Sequence, residues 1–356
     1  MDFAARWVAG VMGAVALGTA APVRAQAPDT SAHVAYEAYV DTYYAYDFNR
    51  PRGFDRPFTT QAARHEEAAV NLAYVAATYR SRTVHGRLAL QAGTAVHVNY
   101  AAEPDSIAGF QNLLPLLQEA YAGIAVGPKL WIDGGIFFSH LGSEGWVTMD
   151  QPTYTRSLPA DFSPFYETGV RAAWQASDRL SATAVVVNGW QAITETNHDK
   201  ALGMRLDWTA AKPVTLTYSN FVGREPAAAT GEQGLRVFYD FEARVTPSAR
   251  ALVVATADVG TQRGDRWWGF SLVGRYAATP TVALNGRVER YDDPHGVIAP
   301  GLRASGASAG VDVARGPALW RTEVRGLFGA HDAIFPGRDG PRKSDVAAVT
   351  SLAVRF

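Results

Sequence analysis

The sequence predicts an all-β fold: a single transmembrane antiparallel up-and-down β-barrel of about 16 strands, made after a cleaved signal peptide. Three observations predict it. Segments of about ten residues alternate apolar and polar side chains, short and long connections take turns between them, and the N-terminus carries an export signal.

The export signal comes first. Arg6 supplies the positive n-region, which Asp2 weakens, and residues 7–21 form an apolar run that Pro22 breaks. Val23-Arg24-Ala25 is a small-residue cleavage pattern, with Ala27 as a second choice. The run is too short to span a bilayer, which takes about 20 residues. The expected organisation is therefore signal peptide 1–25, a short polar leader 26–33, and a barrel over 34–356. Removing residues 1–25 takes away one acidic and two basic side chains and moves the net charge from −1 to −2.

Composition narrows the class. Charged residues make up 19% of the chain, below the roughly 25% of soluble domains. Beyond the N-terminus no run of about 18 apolar residues offers a transmembrane helix. The near-neutral charge gives no basic patch for nucleic acid. With no cysteine, disulfides and thiolate metal sites are excluded.

Alternation places the strands at 34–48, 64–79, 84–99, 117–126, 129–140, 164–177, 179–190, 200–210, 213–223, 233–246, 249–260, 265–278, 280–292, 302–315, 317–329 and 345–356. In 236–245, Val237, Tyr239, Phe241, Ala243 and Val245 form one face, and Arg236, Asp240, Glu242 and Arg244 share the other with Phe238. A soluble antiparallel sheet alternates too; loop length discriminates. Short turns such as 127–128, 177–178, 211–212 and 316–317 follow even-numbered strands, and longer connections such as 49–63, 100–116, 141–163 and 330–344 follow odd-numbered ones. Short periplasmic turns and long extracellular loops produce this sorting. The connections at 79–84 and 260–265 are nearly equal and say little.

Closure follows from the solvent, because lipid offers no partner for an unpaired sheet edge. The first and last segments must pair. The last one, ending in Phe356, has the form of a strand offered to the barrel-assembly machinery. Tyr43, Tyr44, Tyr46, Phe48, Trp190, Trp208, Trp267 and Trp268 lie near strand ends, where girdles at the lipid headgroups are expected.

Several segments carry a family resemblance: YVDTYYAYDFNRP from Tyr39, EAYAG from Glu119, LWIDGGIFFSHLGSE from Leu130, TYTRSLPADFSPFYETGV from Thr153 and VVNGWQAITETNHDKALG from Val186. In these the chain resembles the OmpL-like family of outer-membrane β-barrel porins. The segments span most of the first two thirds of the mature chain; the last third matches only in its barrel pattern and terminal Phe. The resemblance implies the outer membrane of a Gram-negative bacterium and a pore, and carries over no substrate or binding residue.

The expected function is passive diffusion of small hydrophilic solutes through a water-filled lumen of mixed charge. The alternatives are a non-conducting structural or adhesive barrel and, further off, a barrel hydrolase. No cofactor, metal or catalytic residue is assigned. Ser139, His140, Ser143 and Glu144 are close in sequence, but adjacent strand residues point to opposite faces, so Ser139 and His140 cannot meet while the strand persists. The eight histidines are scattered. Inward-facing charges are the expected pore lining: Glu37, Asp41, Asp133, Glu167, Asp207, Asp240, Glu242, Glu289, Asp312 and Glu323 against Arg87, Arg171, Arg205, Arg236, Arg244, Arg275, Arg287, Arg321 and Arg325. The two signs nearly balance, which predicts little ion selectivity. Loop 141–163, with Glu144, Trp146, Asp150, Tyr154, Arg156 and Asp161, is expected to fold inward as a constriction. Ser106 to about Leu117 has the spacing of a short amphipathic helix. Outer-membrane lipid is the expected surround. Porins of this size are often trimeric, but no sequence feature here establishes a homo-oligomer.

Overall fold

A computed structural model describes residues 32–103, 113–195 and 197–356. The proposed signal peptide and nearly all of the leader lie outside these residues, as does most of the helix expected from Ser106. Of that stretch, Leu114–Leu116 is a single 3₁₀ turn and Leu117 already opens a strand.

Sixteen strands form one closed sheet in which each pairs antiparallel with its sequence neighbour, and the last returns to the first. They are β1 His33–Asp47, β2 Ala68–Arg80, β3 Val84–Ala92, β4 Leu117–Gly127, β5 Leu130–Phe138, β6 Tyr166–Ser177, β7 Leu180–Val187 and β8 Ala201–Ala211, then β9 Val214–Pro226, β10 Gln233–Ser248, β11 Ala251–Gln262, β12 Asp265–Ala277, β13 Val282–Asp292, β14 Arg303–Arg315, β15 Ala318–Gly329 and β16 Ser344–Arg355. The sheet has no edge, as lipid requires. At the seam Tyr39 faces Arg355 and Asp47 faces Ala347, and the Phe356 amide donates to the Ala38 carbonyl at 2.8 Å.

Two strands depart from the alternation. The expected β2 starts at 68 rather than 64, because residues 54–66 fold back: Arg56 N–H bonds the Ala63 carbonyl and His65 N–H the Phe54 carbonyl. The expected β3 stops at Ala92, and residues 94–99 form a one-and-a-half-turn helix, α1. Gly93 turns the chain with φ 142°, a conformation that would drive a Cβ into the Asn71 carbonyl. Local alternation alone could not show this break.

Loop sorting holds, with one exception. Turns after even-numbered strands are short, and most connections after odd-numbered strands are long, so by the usual rule both termini are periplasmic. The exception is β11–β12, joined only by Arg263 and Gly264 at φ 55° and 94°. Two successive positive φ values make the tight hairpin turn that suits strand twist.

The outer face is apolar: Val34, Tyr36, Leu88, Leu202, Phe241, Leu284 and Leu352 are exposed. Trp174, Trp208, Tyr276 and Trp320 stand on this face near the periplasmic ends, and Tyr44, Phe48 and Trp268 near the opposite ends. This is the headgroup pattern, but three of the aromatics expected there point inward. Tyr43 and Trp267 are buried in the lumen, and Trp190 packs edge-on against the inward-facing Phe221 and Phe238. Trp267 stacks on Phe238, and its indole occupies the space that a Cβ on Gly260 would need.

Candidate functional site: the charged lumen and the loop inside it

Every charge expected on the lumen side lies on the inner face, opposite the exposed apolar row of its own strand. The dyad period puts it there: Arg321, Glu323 and Arg325 on β15 alternate with Trp320 and Val324 outside. Near the periplasmic ends these side chains keep contact with water, Glu37 being 32% and Arg355 28% exposed. At mid-barrel they are buried, and the connection 139–165 between β5 and β6 covers them.

That loop crosses the interior and is clasped by the far wall. Arg321 donates to the carbonyls of Thr148 at 2.6 Å, Gln151 at 2.9 Å, Pro152 at 3.1 Å and Thr153 at 3.2 Å, while Asp312 holds its guanidinium at 2.9 Å. Arg287 donates to Thr153 and Thr155, and Glu323 accepts from the Thr155 amide at 2.7 Å and its hydroxyl at 2.9 Å. A short helical turn, α2 (Leu158–Asp161), is capped by Ser157 and packs on β12 and β13. Glu289 accepts from the Leu158 amide at 2.6 Å and is itself held by Arg325 at 2.9 Å. Four neighbouring strand charges, Arg287, Glu289, Arg321 and Glu323, are thus spent on backbone groups of one loop, the kind of satisfaction that buried irregular chain requires.

The loop residues singled out from the sequence have different partners. Glu144 accepts from the Ser157 amide and hydroxyl. Asp150 takes Arg355 at 2.6 Å, and burial raises its carboxyl above the usual range. Arg156 lies 3.5 Å above the Phe165 ring, and burial lowers it to about 10. Asp161 accepts from the Thr60 hydroxyl and lies 3.8 Å from Arg325; burial pushes its carboxyl up to about 6, with Arg325 and Arg156 pulling it back. Tyr154 is fully buried and donates to Asp41, which also accepts from Thr148 and Asn71.

At the root of the loop the strand stops two residues short of its expected end at 140. β5 ends at Phe138, so Ser139 and His140 no longer alternate, and both reach Glu167 of β6. The Ser139 hydroxyl donates to the carboxylate at 3.0 Å and not to the imidazole. His140 faces that carboxylate through Nδ1 at 2.9 Å and the Asn220 carbonyl through Nε2 at 2.8 Å. Two acceptors call for two N–H donors, hence an imidazolium. Burial opposes that charge, yet Glu167 carries His140 above its usual range. No ring nitrogen is left to accept a serine proton, so the group is a structural clasp and not a hydrolytic triad.

Other inward-facing side chains were missed in the sequence. Glu119 pairs with Arg87 at 2.6 Å, and His85 stacks on Trp131 while meeting Asp133 at 2.6 Å beside Arg171 at 2.7 Å. Asp258 of β11 faces inward opposite Asp240. Each sits on the inner parity of its strand, a signal available from alternation alone. Among the described residues, no group of three or more His, Asp or Glu is arranged to hold a metal ion.

This architecture is similar to several solved outer-membrane channels. The outer-membrane channel DcaP of Acinetobacter baumannii shares 12% identity at a TM-score of 0.60, over 93% of this chain and all of that one. An anion-selective porin from Comamonas acidovorans gives 10% and 0.58, over 92% and 100%. The trimer form of OmpT from Vibrio cholerae gives 9% and 0.56, over 92% and 100%. At these identities the likeness is one of fold. No curated protein sequence matches. The family model described as "Putative beta-barrel porin-2, OmpL-like" matches residues 33–356, and the chain therefore belongs to that family of outer-membrane β-barrel porins.

Proposed function

We propose that the barrel passes small hydrophilic solutes by passive diffusion, and that the loop 139–165 is its constriction. One observation carries the reading: the loop is held across the lumen at mid-barrel by strand side chains, with wetter charged residues on its periplasmic side. The pore lining in this proposal is the inward charge set named above, and Glu144, Asp150, Arg156 and Asp161 belong to the constriction. Water and fixed charges inside the wall filter by size and sign. Removing residues 143–163 should raise single-channel conductance several-fold in planar bilayers. An unchanged conductance would refute the constriction, and a folded barrel that carries no current would refute the channel.

A closed structural barrel is the second reading. Favouring it is an apolar cluster at the loop end of the lumen, where Phe58, Phe162 and Phe335 from three loops meet the inward-facing Tyr291. The same current measurement decides between the two. The proposal also includes assembly as a homo-oligomer, supported by the likeness to the OmpT trimer form, and delivery of the strand ending in Phe356 to the barrel-assembly machinery. Mild cross-linking in membranes tests the first.

A further inference from the structure

The lipid-facing rows of most strands carry no charge. β12, β13 and β14 depart from this at their loop ends, which loop sorting makes the extracellular ends. Arg266, Arg290, Asp292 and Arg303 have the outward parity of their strands, shared with Trp268, Val288 and Ala307. The register joins them. Trp268 faces Asp292, and Asp292 faces Arg303. In the next row towards mid-barrel, Phe270 faces Arg290, Arg290 faces Ser305 and Ser305 faces Phe328. Along that row Arg290 stands between two exposed aromatic rings, in a wall that is otherwise apolar.

Contacts within the patch leave positive charge to spare. Asp292 accepts from Arg290 at 3.0 Å and from Arg303 at 3.3 Å through the same oxygen, and Arg290 also donates to the Ser305 hydroxyl at 3.0 Å. Among the described residues, Arg303 donates only through Nε, and Arg266, across from Thr261, pairs with no carboxylate. Three arginines against one aspartate leave two positive charges. Arg224 of β9, another outward arginine, is instead offset by Asp199 at 3.3 Å. β13 has 11 residues, and about nine to eleven cross the hydrocarbon, so its last residues lie at headgroup level. A guanidinium there offers a planar fork of donors that fits a phosphate. The exposed Phe270 and Phe328 beside it face acyl chains, so the anion is one that a lipid carries.

We infer that Arg266, Arg290 and Arg303 form a binding site on the outside of the barrel for a phosphate of the outer-leaflet glycolipid. Asp292 holds two of the guanidinium groups in place, and Phe270 and Phe328 lie against the acyl chains of the same lipid. The inference rests on the outer-membrane location and is independent of the channel reading, because the site lies on the opposite face of the wall from the lumen.

The test is native mass spectrometry of the purified full-length barrel in detergent, titrated with bisphosphorylated lipid A. The parent should retain the lipid. Arg290→Gln with Arg303→Gln should weaken binding by about ten-fold or more, and Arg224→Gln should leave it unchanged. Dephosphorylated lipid A and phosphatidylcholine should bind the parent no better than lipid A binds the double variant. Equal binding of the phosphorylated and dephosphorylated lipids, or of parent and double variant, overturns the inference. Displacement of lipid A by an equal concentration of inorganic phosphate overturns the lipid as the source of the anion. Unchanged lipid binding with loss of an oligomer in the double variant marks the patch as a contact between copies and overturns the site. If the double variant does not fold, Arg266→Gln takes its place: binding should weaken by about two-fold or more, and an unmoved affinity overturns the inference.

Discussion

Two walls of one barrel treat charge in opposite ways. On β13 and β15, Arg287, Glu289, Arg321, Glu323 and Arg325 are all buried, and each meets an opposite charge, four of them the loop backbone as well. On β10 and β11, Asp240, Glu242 and Asp258 are as deeply placed, and among the described residues none of them makes an ion pair within 4.0 Å. Both walls follow the same period-two rule, so alternation does not separate them. The difference comes from where the loop 139–165 lands. One wall works as a clasp, and the other keeps its carboxyl groups side by side without an ion pair.

The comparison breaks most sharply at Arg321. Arg321→Ala releases four loop carbonyls and leaves Asp312 with only Arg275 at 3.1 Å and Asn285 at 3.0 Å, a loss of about 3 kcal/mol, the low end for breaking a buried pair. Its unfolding temperature, read from the heat-modified band shift on gels, should fall clearly, and open-channel noise should rise as the loop loosens. The opposite wall should respond with the opposite sign. Asp258→Asn relieves the close approach of two carboxyl groups facing each other across β10 and β11 and should raise stability by about 1 kcal/mol; a loss of similar size would mean that the contact between them holds the wall together.

A smaller effect follows pH. The Asp161 carboxyl rises to about 6 from its ordinary value of about 3.9 on folding. The folded state then holds the proton more tightly, so this stabilisation is complete below about pH 4 and is lost as pH rises through about 6. Unfolding temperatures of the parent should decline over that window relative to Asp161→Asn, and parallel curves would contradict it. The smallest effect is expected outside the lumen. Thr350→Val on the lipid face loses the bond from Trp320 Nε1 at 2.8 Å and should cost about 1 kcal/mol.

Much of this was legible in the sequence. Period two and loop sorting place all sixteen strands and the inner parity of the charges, because lipid enforces both without reference to tertiary detail. The inward loop was also expected, although its grip was not: which carbonyls Arg321 meets depends on contacts across some 170 residues. The convergence of Ser139 and His140 on Glu167 was hidden because the strand ends two residues before its expected end at 140. Trp190 and Trp267 read as girdle residues because an aromatic near a strand end serves a headgroup or a loop core equally well. Asp258 was missed on the very parity that revealed Asp240.

The seam between β1 and β16 has a consequence for biogenesis. It joins residues such as Thr42 and Leu352, separated by 310 positions. Non-local pairing of this range is slow to form, and no shorter nascent chain can make it. Any truncated or stalled product therefore carries two raw strand edges that lipid will not accept. Closing the wall therefore requires β1 and β16 to be present together in one chain.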